Sequence, residues 1–539
     1  PTTNNMFKGI NANSSIEFAT DSFFRWHVLN ELVKQRGGVV PEFANVHLHA
    51  TLQPGKNQAE IEKYESNTWK PLEKTISDIQ RRTGITLDNL QKYMKAKHAP
   101  ERNAKLREQN GDNTGEKVYA GSLDGIPLTD EYAEEITLQY EDVIGQDDVK
   151  KLWEAMNKAT RFSIDKYYES GFITKDTYDE LTGDNAYQFY IPLRGWKGET
   201  MADIFDYQDA DQFKGFQNPF IKAFGRESEA DDPLPFIRSM AHTAIISGNK
   251  NVFRTKALNL AMLNKDLNDL FTYNSIYTHD TGSKDKEGKA IYEDVIVLSG
   301  EVYLFEGYDK DGTIIKDTHL GSYKDLLEEG TMKRTVDYSH YRKNTTRQAK
   351  QHEIPVYMAG KKYIVVAKSD PQLALAIEGR NLWNVKGSSE TLQKMVELPS
   401  TFTRTMSKLL TQYNPAFIPV NFIRDIGYAT IAHGVKDQGD IALFYKNLGK
   451  ARKAIHRHIR GTADPANNAD DRMFERFLIA GGRTGYAFIE DIDAHKKKIA
   501  KDMLRFMGKS SKWDKVTQNQ MIQTAKATME YMAMTSEDI

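Results

Sequence analysis

The hydrophobic period of the chain changes twice, and this limits its fold more than any other feature. Up to about residue 269, apolar side chains recur at helical spacing. From Leu270 to about Lys368 they fall in β-branched or aromatic runs, Val295 to Leu298, Val302 to Phe305 and Tyr363 to Val366, separated by Gly and Asp turns at 309–312 and 359–361. Beyond Pro371 the helical spacing returns and runs to the end, with a polar loop at 461–471. The expected fold is therefore mainly α, a multi-helical array with a small β-containing (α+β) insert at about 270–368.

At 539 residues the chain exceeds what one core serves. Four regions are expected: N-terminal helices over 1–110, helices with an extended linker over 111–269, the β-rich insert over 270–368, and C-terminal helices over 369–539. Within them the spacing predicts helices from Asp21 to Arg36, from Gln58 to Ala96 with an interruption near Thr83-Gly84, from Asp147 to Glu169 and from Thr174 to Leu181. Asp130 is placed to cap a helix, Pro235 to open a long one through Leu263, and Tyr187 to Leu193 reads as a strand or extended linker.

Charge and cysteine content exclude several functions. Lys and Arg number 73 against 75 Asp and Glu, so no global field draws the chain to nucleic acid or lipid. Without Cys there is no disulfide, thiolate metal site or cysteine nucleophile. No signal-peptide pattern and no apolar run long enough for a bilayer span occurs. The start at Pro1 and the uncapped helical pattern of Ala533 to Ile539 read as fragment boundaries.

Local candidates for chemistry are few. His47 and His49 flank Leu48, a spacing that on a strand puts two imidazoles on one face; no third ligand is apparent, and a packing pair is the plainer reading. Glu490, Asp491, Asp493 and His495 could meet a hard cation but lack a Gly-turned loop. Gly508-Lys509-Ser510 ends like a phosphate loop, yet Met503 stands where the first Gly belongs. Glu65-Ser66 and Glu169-Ser170 have the Glu-Ser pair of lysozyme-like transglycosylases without the groove segments of those enzymes; a catalytic Glu there needs burial and a raised pKa.

Two stretches remain. Lys446, Lys450, Arg452, Lys453, Arg457 and Arg460, with His456 and His458, concentrate positive charge on one expected helix, suited to phosphates of nucleic acid or lipid if it is more than a solvated face. Ala416 to Ile431 is apolar but interrupted by Arg424-Asp425, too short and charged to span a bilayer.

Four stretches carry a family resemblance. They are Tyr93-Met94-Lys95-Ala96-Lys97-His98-Ala99-Pro100-Glu101-Arg102-Asn103 with Thr129-Asp130-Glu131; Tyr190-Ile191-Pro192-Leu193-Arg194-Gly195-Trp196; Tyr413-Asn414-Pro415-Ala416-Phe417 through Asn421-Phe422-Ile423-Arg424-Asp425; and Phe477-Leu478 through Gly481-Gly482-Arg483-Thr484-Gly485-Tyr486. In that order the chain resembles the large polyvalent-protein-associated regions of giant phage polyproteins, including internal virion proteins ejected by short-tailed phages and DarB-like antirestriction proteins.

The resemblance implies a non-enzymatic structural segment, held in the virion interior and then delivered to the host envelope or cytoplasm, where it helps DNA cross. It implies other ejection proteins or domains of the same polyprotein as partners, with DNA or the envelope membrane surface as further ones, and no cofactor. A DNA-binding domain of an antirestriction or DNA-processing polyprotein is the alternative, and a cell-wall lytic transglycosylase the third. No catalytic residue carries over. Physically, Ala99-Pro100 suits a helix break, Glu101 and Arg102 are free to pair with neighbours, Asn103 can satisfy open backbone groups, Asn414-Pro415 starts a helix, and Gly481, Gly482 and Gly485 suit tight turns.

Overall fold

The computed structural model describes residues 24–193, 228–333, 349–377 and 438–482, apart from positions 113, 114, 116, 185, 285–289, 310, 351, 369 and 371. The chain divides into two compact units. One gathers residues up to 50 with 61–382, the other residues 51–60 with those from 383 onward save 496–500.

From the N-terminal side, α1 (Phe24–Gln35), α2 (Val46–Tyr64, whose residues 51–60 belong to the second unit), α3 (Lys70–Thr83), α4 (Leu87–Asn110), α5 (Asp130–Ile144), α6 (Gln146–Glu169) and α7 (Lys175–Thr182) follow one another with short joints. Their boundaries follow from cap chemistry. The hydroxyls of Thr86, Thr129 and Thr174 accept the amide hydrogen bonds that open α4, α5 and α7, while Gly84 at φ +75° closes α3. The cap of α5 is thus Thr129, one residue before the expected Asp130, which instead places its charge in the first turn. A π-helical turn, Glu65–Trp69, separates α2 from α3.

The 31-residue α8 (Pro233–Leu263) is buried around much of its circumference, as a central packing helix must be. Its Asn251 joins two elements: the amide donates to the carbonyls of Ser170 and Tyr357 at 2.7 Å each and accepts from Tyr357 N at 2.9 Å. Between Phe271 and Ala367 the chain forms an antiparallel sheet, matching the expected insert. Its strands are β3 (Phe271–Lys284), β4 (Ala290–Leu298), β5 (Glu301–Tyr308), β6 (Ile314–Ser322), β7 (Met332–Lys333), β8 (Glu353–Met358) and β9 (Lys361–Ala367), after a minor β1–β2 hairpin at Ser122–Leu123 and Ile126–Pro127. The order is β6-β5-β4-β3-β9-β8, with β7 against β3. Short helices α9 (Tyr323–Glu328) and α10 (Gln372–Ile377) complete the unit. Ala359 and Gly360, both at positive φ, make the two-residue turn between β8 and β9.

In the second unit, α11 (Gln438–Ile459) packs on α12 (Ala469–Ile479). Ala454, Ile455, Phe474 and Leu478 form its small core, with Ala59 packed against them. Gly481, at φ +85°, lies so close to the Leu52 carbonyl that a Cβ there would stand 2.4 Å from its oxygen. A Cβ on Gly482 would strike the Phe477 ring. These two glycines are required by close packing as well as by the turn.

Candidate functional site

Two of the resemblance-bearing stretches meet on α4. Contrary to the expected break at Ala99-Pro100, α4 runs unbroken through Pro100. An interior proline removes one helical hydrogen bond and costs about 3 kcal/mol or more. Packing around it opposes that cost: Ala96 and Ala99 are fully buried with Ala120, Leu123, Leu128 and Ala133, and Leu193 packs on the same cluster.

Asn103, fully buried, binds backbone on two segments. Its Nδ2 donates to Leu128 O at 3.0 Å and to Asp130 Oδ1 at 2.8 Å, and its Oδ1 accepts from Tyr119 N at 2.8 Å and Ala120 N at 2.9 Å. Every hydrogen-bonding capacity of the amide facing those segments is used. Glu101 does the same for the segment expected to be extended, which instead turns at Gln188-Phe189, its two oxygens accepting from Gln188 N at 3.1 Å and Phe189 N at 3.0 Å. Ile191 and Pro192, from the second stretch, are buried behind it. Arg194, Gly195 and Trp196 lie outside the described residues.

The inward face of α4 carries a second set of polar contacts. Tyr93 Oη donates to Glu141 Oε1 at 2.9 Å and accepts from Trp153 Nε1 at 3.0 Å, while Lys97 pairs with Glu141 at 2.8 Å. Burial pushes the Tyr93 phenol up, so it stays a donor at any physiological pH. Further along, His98 is wholly buried against the rings of Tyr187 and Tyr190, with centroids at 5.1 and 5.8 Å. Neither ring nitrogen has a hydrogen bond of ordinary geometry, and burial, then the charge of Arg102, pushes the imidazole down to about 3. Arg102 Nε donates to Tyr119 O at 3.3 Å, and Lys105 Nζ stands 3.9 Å from the Tyr187 ring centroid.

The basic residues of the second unit are arranged differently. At about 100° per residue, Lys446, Lys450, Lys453, Arg457 and Arg460 fall within an arc of about 80° on α11, with Arg452 on the flank. Lys446, Lys450, Arg452, Lys453 and Arg460 are exposed, and none forms an ion pair among the described residues. Arg457 departs from the expectation of a free phosphate contact. Its Nε and Nη2 reach Asp471 Oδ1 at 2.8 and 2.6 Å, so this guanidinium ties α11 to the first turn of α12. The hydrogen bond from Arg457 holds the Asp471 carboxyl below its usual range.

Other candidates fare as follows. His47 and His49 lie on α2 rather than on a strand, where residues two apart diverge by about 200°. His47 lies against His27 with the rings tilted and centroids 5.3 Å apart, and His49 Nε2 lies 3.1 Å from Glu42 O. Among the described residues no His, Asp or Glu cluster suits a metal, and no helix is long and apolar enough to cross a membrane. Glu169 is exposed at the end of α6.

Glu65, in the π-helical turn, is held by Arg238 Nε and Nη2 at 2.8 and 2.7 Å and by His242 Nε2 at 2.7 Å. Burial raises its pKa most, but the hydrogen bonds and charges of His242 and Arg238 together outweigh that, leaving it lowered. A glycosidic general acid needs the opposite shift. Asn414, Pro415, Asn421, Arg424, Asp425 and Gly485, the Glu490 to His495 group, the Met503 to Ser510 stretch and the apolar 416–431 segment all lie outside the described residues.

The cluster around Glu65 is the part that sequence reading missed, because Arg238 and His242 lie 173 and 177 positions away. Compared with protein-family models, with curated proteins and with solved structures, the chain finds no match in any of the three.

Proposed function

We propose that this chain is a non-enzymatic structural segment of a large phage internal virion protein, ejected with the genome and helping DNA across the host envelope. The reading begins from the resemblance. The observation that carries it is the use made of Asn103 and Glu101: the polar groups of the most distinctive stretch bind the protein's own backbone and so act as joints. Helices tied by such joints form largely from local contacts, and without disulfides they can be unfolded and reformed, as passage through a narrow tail demands. Mass spectrometry of purified virions tests the proposal. The parent protein is expected among the internal components, and its absence would sink the reading.

A second reading is favoured by one separate observation, the exposed basic stripe of α11. In it the segment binds DNA as part of an antirestriction or DNA-processing polyprotein. Phosphate contacts release counterions, so affinity should fall steeply with salt, by roughly one unit of log-log slope per contact. A flat salt dependence removes it.

A further inference from the structure

We propose that His98 is a proton-operated latch: when its imidazole gains a proton, the segment 187–193 comes away from α4. The ring is fully buried, and two tyrosines of that segment, Tyr187 and Tyr190, lie against it with centroids at 5.1 and 5.8 Å. A neutral imidazole fits there as an apolar ring. An imidazolium does not, because it brings a charge and two N–H donors to a place where neither nitrogen has an acceptor of ordinary geometry among the described residues. The backbone of Phe189 favours the charged form, but less than burial and Arg102 oppose it. The faces of aromatic rings attract a cation much less than water hydrates one. Hydrating the ring therefore requires the two tyrosines to withdraw.

The neighbouring charges do not compensate a proton on His98. Arg102 and Lys105 follow it on the same face of α4, one and two turns on, and both are cations. One turn before it, Lys95 donates to the Ala230 carbonyl and stands 3.8 Å from Glu229. Glu101 is committed to the amides of Gln188 and Phe189, and on α5 Glu141 is engaged by Tyr93 and Lys97. From α6 the segment meets uncharged groups, Trp153 on the Phe189 ring and Asn157 on the Gln188 carbonyl. Attached, the segment thus excludes the proton; released, it leaves an ordinary imidazole of 6.5. Lowering the pH from 7.5 to 5.5 should then raise the opening constant about tenfold.

Hydrogen–deuterium exchange of the full chain at pH 7.5 and 5.5, corrected for the intrinsic pH dependence of exchange, tests the latch. The amides of Gln188 and Phe189, bonded to Glu101, report release of the segment. Those of Tyr119 and Ala120, bonded to Asn103 on the same helix, report any wider opening. On acidification the first pair should lose protection about tenfold, and the second less than about twofold. His98→Gln cannot take the proton, and its first pair should be equally protected at both pH values. Should that variant fail to fold, Glu101→Gln supplies the test: it should speed exchange at both pH values and keep the tenfold ratio, because the ratio comes from the imidazole and not from the carboxylate. Protection of Gln188 and Phe189 that ignores pH, an equal loss at Tyr119 and Ala120, a ratio that survives in His98→Gln or one that vanishes in Glu101→Gln each overturns the proposal.

Discussion

Helices α4 and α11 are nearly the same length, 24 and 22 residues, and both are rich in Lys and Arg, yet they use that charge in opposite ways. On α4 the charges turn towards the protein: Lys92 meets Asp124, Lys95 the Ala230 carbonyl, Lys97 meets Glu141 and Arg107 meets Asp130. On α11 the stripe is exposed, and among the described residues Arg457 alone of the six basic residues has an acidic partner. Basic composition therefore does not distinguish a structural helix from a binding one. Neighbours in space do, and for α4 they come from chain positions far along from the helix itself.

The comparison can be broken most decisively at Asn103. Replacing it with Ala leaves the Tyr119 and Ala120 amides and the Leu128 carbonyl buried without their partner. We expect a loss of about 3–5 kcal/mol, read by urea unfolding; a loss under about 1 kcal/mol would show that α4 is not held by its joints. A pH series gives the next effect. Burial holds the His98 pKa at about 3 in the folded chain, against an ordinary 6.5, so between those values the unfolded chain binds the extra proton. Stability should fall as pH drops from about 6.5, with His98 contributing up to about 1.4 kcal/mol per pH unit, and should be unaffected by this group above that range. Comparing the slopes of wild type and His98→Gln isolates the contribution; equal slopes would count against a buried neutral imidazole.

Glu101→Gln is a milder change, since the amide can still accept from one of the two backbone N–H groups. About 1–2 kcal/mol is expected, measured in the same unfolding experiment. Smallest should be the effect of Lys446→Ala, Lys450→Ala or Lys453→Ala on stability, within about 0.5 kcal/mol each. If DNA binds the stripe, each of these should lower the salt slope by about one. Stability losses on α11 as large as those on α4 would erase the distinction between the helices.

How far the sequence could be read follows the range of the interactions. The insert was legible because Val295 to Leu298, Val302 to Phe305 and Tyr363 to Val366 are apolar strands of β4, β5 and β9. Strand β3 lies at the centre of the sheet and was not read as a strand, since Thr272, Asn274, Ser275 and Thr278 dilute its pattern. β8 was missed as well: it contains Pro355, a residue tolerated there because the strand is an edge. The capacity of Asn103 to satisfy backbone groups was legible from its chemistry, but the identities of its partners were not. Pro100 misled because local propensity argues for a break, and only the alanine cluster and the bonds of Asn103 oppose it.

The contact between Gly481 and the Leu52 carbonyl has a consequence for the order of assembly. The second unit draws its core from residues near 59 and from 454–478, so closing it means bringing together segments separated by nearly all of the intervening chain. Loop-closure entropy rises slowly with length, but a contact this remote forms late, because the C-terminal segment must be synthesised first. On a ribosome the first unit can begin to fold while residues 51–60 still lack their partners. A Gly481→Ala chain should therefore be impaired at the final step of folding, with the sheet and α4 already in place.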